Sequence, residues 1–98
     1  MKTPQPLPKE IFLIFQKVIA EPSFYPSHLS ICMALINEFI KSGENPCFRI
    51  TRRRVMKLSQ IKSLSTYHKC IKELVNKKVI IYRSSFHPKL GSEVQFIF

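Results

Sequence analysis

Residues Thr51 to Tyr82 read TRRRVMKLSQIKSLSTYHKCIKELVNKKVIIY, and the apolar spacing in this stretch leaves few ways for the chain to fold. Tyr67, Ile71 and Leu74 recur at i, i+4 and i+7, the spacing of one helix face. Leu64, Cys70 and Val75 flank that face and widen it. At about 100° per residue the opposite face carries Ser65, Lys69, Lys72 and Asn76, with Thr66 and His68 at its edges. A shorter helix precedes it, with Thr51 as N-cap and Val55 and Leu58 facing inward beside Met56. No glycine marks the connection. Ser59, Ser63 and Ser65 supply local capping instead, and Ile61 lies in or just beyond the turn. VIIYR (79–83), β-branched and aromatic, then predicts a strand. The stretch therefore reads as helix, tight connection, basic helix and strand. One side of the second helix is core; the other offers the donors and cations that a helix lodged in a DNA major groove must present.

The remaining elements are arranged around this stretch. MKTPQPL leads to a helix that opens at Pro8 and runs to about Ala20, before the Glu21–Pro22 break. Ile11, Ile14, Phe15 and Val18 form its main stripe, Phe12 and Ile19 broaden it, and Leu13 points almost the other way. So wide an apolar girdle either packs wholly on its own domain or covers a homodimer contact through residues 8–20. EPSFYP connects to a helix starting near Pro26 or Ser27, with Leu29, Cys32, Met33, Ile36, Phe39 and Ile40 on one face and Gly43 closing it. His28, in its first turn, reads as a surface or capping group. CFRI (47–50) is a short strand that pairs with the sheet formed by VIIYR and EVQFIF, where Val94, Phe96 and Phe98 alternate. The loop SSFHPKLGS between those strands carries His87 and Lys89 at its tip.

The string STYHKCIKELVNKKVIIY resembles the recognition helix and first wing strand of winged helix-turn-helix proteins. More narrowly, FYPSHLS, VMKLSQI, TYHKC and GSEV resemble a family of small winged-helix proteins found on bacterial conjugative and mobilizable elements, over residues 24 to 98. The fold expected is therefore α+β: a winged helix-turn-helix, with a three-helix core and a C-terminal β-hairpin wing, plus an extra N-terminal helix. Residues 1–22 would form the lead and extra helix, and 23–98 the DNA-binding domain. The resemblance also implies a setting, regulation or excision of a mobile element, with a recombinase or other mobile-element protein as a partner.

Charge points the same way. The 98 residues carry a formal net charge of +10. In residues 1–46 four lysines balance four glutamates, whereas residues 47–98 hold twelve Lys/Arg against two Glu. The whole excess lies on the two basic helices and the C-terminal strands and loop, so a polyanion, double-stranded DNA, is the expected partner. Phosphate contacts fall to Arg52, Arg53, Arg54, Lys57 and Lys62, and base readout to Ser65, Thr66, His68, Lys69 and Lys72. His87 and Lys89 on the wing are placed to reach a neighbouring minor groove or backbone.

Other classes fit less well. A winged helix can serve as a protein-interaction module without DNA readout, but that use favours a polar or apolar recognition face over a cationic one. An enzyme is not expected: the chain has no Asp, its six Glu are dispersed, and two glycines cannot build a phosphate loop. Three separated cysteines offer neither a CxxC pair nor Cys/His ligand spacing, so no metal, cofactor or disulfide is expected. No small-molecule ligand, signal peptide or membrane span is read either, and the expected compartment is the cytoplasm.

Overall fold

The computed structural model describes residues 9–85 and 91–98 and, over these, four helices and one small antiparallel sheet. In chain order they are α1 (Lys9–Ala20), α2 (Pro26–Lys41), β1 (Phe48–Ile50), α3 (Arg52–Ser59), α4 (Leu64–Asn76), β2 (Ile80–Arg83) and β3 (Ser92–Phe96). The α+β class and the order of elements follow the reading of the sequence. The expected helix start at Pro8 and the loop-tip residues His87 and Lys89 lie outside the described residues.

Three helices end in one backbone device, and it fixes where the chain turns. After α2, Gly43 at φ +80° donates its N–H to the Ile40 carbonyl, and Glu44 donates to Phe39, each at 3.0 Å. The same paired bonds close α3 around Gln60 (φ 61°) and α4 around Lys78 (φ 59°), where Ile61 donates to Met56 and Val79 to Leu74. These bonds satisfy carbonyls that would otherwise be orphaned at the helix end. The α3–α4 connection thus needs no glycine, because Gln60 takes the left-handed conformation at a cost of about 1–2 kcal/mol. At the other ends, Thr51 and Ser63 cap α3 and α4 by accepting the N–H groups of Arg54 and Thr66, each at 3.3 Å.

The sheet order is β1-β3-β2, so the strand after the loop runs between its two partners. Phe48 and Tyr82 both pair with Val94, Ile50 pairs with Ser92, and Ile80 pairs with Phe96. Gly91 makes this closure possible. It lies at φ +70°, and a Cβ there would run into the Ile50 carbonyl oxygen. Phe39, Phe48 and Phe96 meet edge-on or tilted at 5.4–5.7 Å between centroids, joining α2 to the sheet. Each such pair contributes about 0.5–1.5 kcal/mol beyond area burial.

One hydrophobic core runs through the molecule, and α1 belongs to it. Ile11, Ile14 and Val18 are buried with Ile31 and Leu35 of α2, Tyr67, Cys70, Ile71 and Leu74 of α4, and Val94. Lys17 secures α1 further: its ammonium donates to the Ile97 carbonyl and, at 3.4 Å, to that of Lys78. No helix among the described residues is long and apolar enough to cross a membrane.

Several residues expected on core faces are exposed: Met33, Ile40, Leu58, Leu64, Val75 and Phe98. The α2 differences share a cause. This helix is central, touching α1, α3, α4 and β1, so it buries most of its circumference and leaves out only a strip containing Met33, Asn37 and Ile40. A reading that assumes one neighbour finds the buried Cys32, Ile36 and Phe39 but turns Met33 and Ile40 inward, and it misses Ile31 and Leu35. Leu58, Leu64 and Val75 sit at helix ends, where the core has already curved away. Phe98 lies beyond Phe96, the last paired residue of β3, so the alternation has no layer left to fill.

Candidate nucleic-acid interface

The second basic helix is held by a buried polar contact. His28, at the start of α2, is only 1% exposed. Its Nδ1 accepts the Tyr25 N–H at 2.8 Å, so Nε2 carries the ring hydrogen and donates to Glu73 of α4 at 3.0 Å. The Phe24 ring lies flat on the imidazole, 4.4 Å between centroids and 8° from parallel. Nearby, the Cys70 thiol donates to the Ser27 hydroxyl at 3.4 Å. The stretches FYPSHLS and TYHKCIKE thus meet face to face. His28 does cap α2, but it is buried instead of lying on the surface. Glu73 was no candidate in the sequence. It lies three residues from Cys70, at the rim of the core face, and only the fold brings it to a histidine 45 positions away.

Fixed in this way, α4 turns Ser65, His68, Lys69, Lys72 and Asn76 to solvent, while Thr66 is half-buried. The Ser65 hydroxyl is already engaged, 2.9 Å from that of the N-cap Ser63. His68 packs edge-on against Tyr67 at 5.5 Å. The five expected base-reading residues share one helix, four of them fully on its outer side.

The five expected phosphate contacts divide. Arg52 and Arg53 are exposed at the N-terminus of α3 and line a cleft with Thr51, Gly91 and Ser92. Lys57 and Lys62 are exposed on either side of the connection and line a shallow groove with Met56, Gln60 and Ile61. Arg54 differs, because its guanidinium turns back onto α2 and donates to Glu38.

Placement of the acids decides the electrostatics. Of the six Glu, Glu21 pairs with Lys77 (3.5 Å), Glu38 with Arg54, Glu73 with His28 and Glu93 with Arg83 (3.5 Å). The Glu21 carboxyl is held below its ordinary range, first by the Ser23 hydroxyl and N–H that donate to it and then by Lys77. Among the described residues, no carboxylate reaches Arg52, Arg53, Lys57, Lys62, Lys69 or Lys72. Six cations that no carboxylate among the described residues reaches are therefore gathered on α3, the connection and the outer face of α4.

Tyr67 of α4 is 1% exposed, and its hydroxyl is the one buried side-chain polar atom without a hydrogen-bond partner among the described residues. Burial raises its pKa well above the usual phenol value and the nearby Tyr82 adds to this, while Arg52 opposes it. The hydroxyl stays protonated and is a donor in waiting. No protein-family model, curated protein or solved structure matches the chain.

Proposed function

We propose that this chain is a winged-helix protein that binds double-stranded DNA, with α3 and α4 as its helix-turn-helix and the β2–β3 hairpin as its wing. The observation that carries this reading is the set of six cations on α3, the connection and α4 that no carboxylate among the described residues neutralises. A folded protein with a surplus of unpaired cations on one surface repels itself there, and a polyanion relieves that repulsion. The helix order, the three-stranded sheet and the exposed face of α4 are compatible with this arrangement. Lys69 and Lys72 are the strongest readers, since lysine donates to guanine O6 and N7. Arg52, Arg53, Lys57 and Lys62 set position on the backbone. The resemblance of FYPSHLS and TYHKC to small winged-helix proteins of conjugative and mobilizable elements supports a regulatory or excision-accessory role.

Salt dependence tests the reading. If about six cations displace counterions, the log–log slope of affinity against salt is expected on the order of −5. A slope near zero, on any duplex sequence, overturns it.

A further inference from the structure

Apart from Ile50 and Gly91, the described residues that line the cleft between the N-terminus of α3 and the wing strands bear hydroxyl or guanidinium groups. The register sets Ser92 opposite Ile50 and therefore beside Thr51, and Gly91 allows that approach. The Thr51 hydroxyl oxygen already accepts the Arg54 N–H, and that of Ser92 accepts the Tyr82 hydroxyl at 2.8 Å, so each keeps its own hydrogen to give. Arg52 and Arg53 line the cleft with guanidinium groups that no carboxylate among the described residues reaches, and their backbone N–H groups are the first two of α3, with no partner inside the helix. Among the described residues, no carboxylate lines the cleft. Cations at the positive end of a helix are unfavourable until an anion arrives. The buried Tyr67 hydroxyl, without a hydrogen-bond partner among the described residues, interacts electrostatically with Arg52 and with Tyr82, whose hydroxyl bonds Ser92.

We propose that this cleft seats a single phosphate, held by Arg52, Arg53, Thr51 and Ser92, and that on DNA it takes one backbone phosphate as the anchor that sets register. The assignment rests on the DNA-binding reading and deepens it. It also separates neighbouring arginines: Arg53 belongs to the anchor, and Arg54, bound to Glu38, does not.

Two measurements on the full chain test it. In the first, inorganic phosphate is titrated against chloride at matched ionic strength, following backbone amides by NMR. The amides of Arg52, Arg53 and Ser92 are expected to shift saturably with phosphate only. Arg53→Ala abolishes the saturation, while Arg54→Ala keeps it. Shifts that are absent, that follow both salts alike, or that Arg54→Ala removes equally overturn the anchor. In the second, a bound duplex carries single methylphosphonates at successive positions. One position is expected to weaken the native chain by about tenfold or more, as loss of a charge-assisted contact should, and to leave Arg53→Ala no weaker than it already is. A duplex that binds with no such position overturns the anchor and leaves DNA binding standing. If no duplex binds, the DNA reading fails, and the phosphate titration alone decides whether the cleft holds an anion.

Discussion

At the scale of single residues, burial turns ordinary groups into determinants of stability. His28→Ala removes the ring stacked on Phe24, the cap on the Tyr25 N–H and the donor to Glu73. It is expected to cost about 2–4 kcal/mol in urea denaturation. Glu73→Gln keeps an acceptor oxygen for Nε2 and is expected to cost under about 1 kcal/mol. Equal losses in the two variants would show that the Glu73 charge, and not the packing of the His28 ring, carries the contact. Tyr67→Phe should leave stability unchanged or raise it by about 1 kcal/mol, because it deletes a hydroxyl that nothing satisfies. The Cys32 thiol adds a pH dependence. Burial pushes its pKa up to about 12 from an ordinary 9.0, so the unfolded chain ionises first. Stability is complete below pH 9 and falls as pH climbs towards 12, and the Tyr67 phenol, also raised, adds to the loss. Thermal melts across this window should show a shallower decline for Cys32→Ala.

At the scale of elements, helix ends were the most legible part of the sequence and long-range side-chain pairs the least. The N-cap Thr51 could be read because a cap is a local bargain between a hydroxyl and an N–H three residues on. Of the three serines expected to cap locally, Ser63 does so for α4, while Ser59 bonds back to Val55 and Ser65 to Ser63. The outer face of α4 could be read because Tyr67, Ile71 and Leu74 fix the helical phase and leave Ser65, Lys69 and Lys72 outside. Nothing local foretells that Arg54 will meet Glu38 or that His28 will meet Glu73. Those contacts depend on how α2 crosses its neighbours, and they remove one arginine from an apparently uniform run of three. The α3–α4 turn lies between these extremes. Its place was clear, but its residue was not, because glutamine carries no left-handed signature. Gln60→Gly is accordingly expected to stabilise by about 1 kcal/mol, measured as a higher denaturation midpoint at unchanged slope. Gly91→Ala should do the opposite and open the β1–β3 pairing, visible as faster amide exchange at Ser92 and Val94.

At the scale of the whole molecule, the chain has a balanced half and a basic half. Phe12, Leu13 and Ile19 remain exposed on α1, in the half where lysine and glutamate cancel. Two molecules of net charge +10 can meet there without opposing their basic surfaces, and we propose that residues 8–20 mediate a homodimer. Sedimentation at high micromolar concentration is expected to show a dimer that Leu13→Glu converts to monomer; a native monomer under those conditions removes the idea. The Lys17 ammonium gives such a contact a wider reach. It holds the carbonyl of Lys78, just past α4, and that of Ile97, just past β3, from a single point on α1. The side of the molecule that would face a second copy is therefore tethered to the ends of both elements that would face DNA. A tug on α1 would pull on the end of α4 and the end of β3 together, as a drawstring closes both sides of a bag.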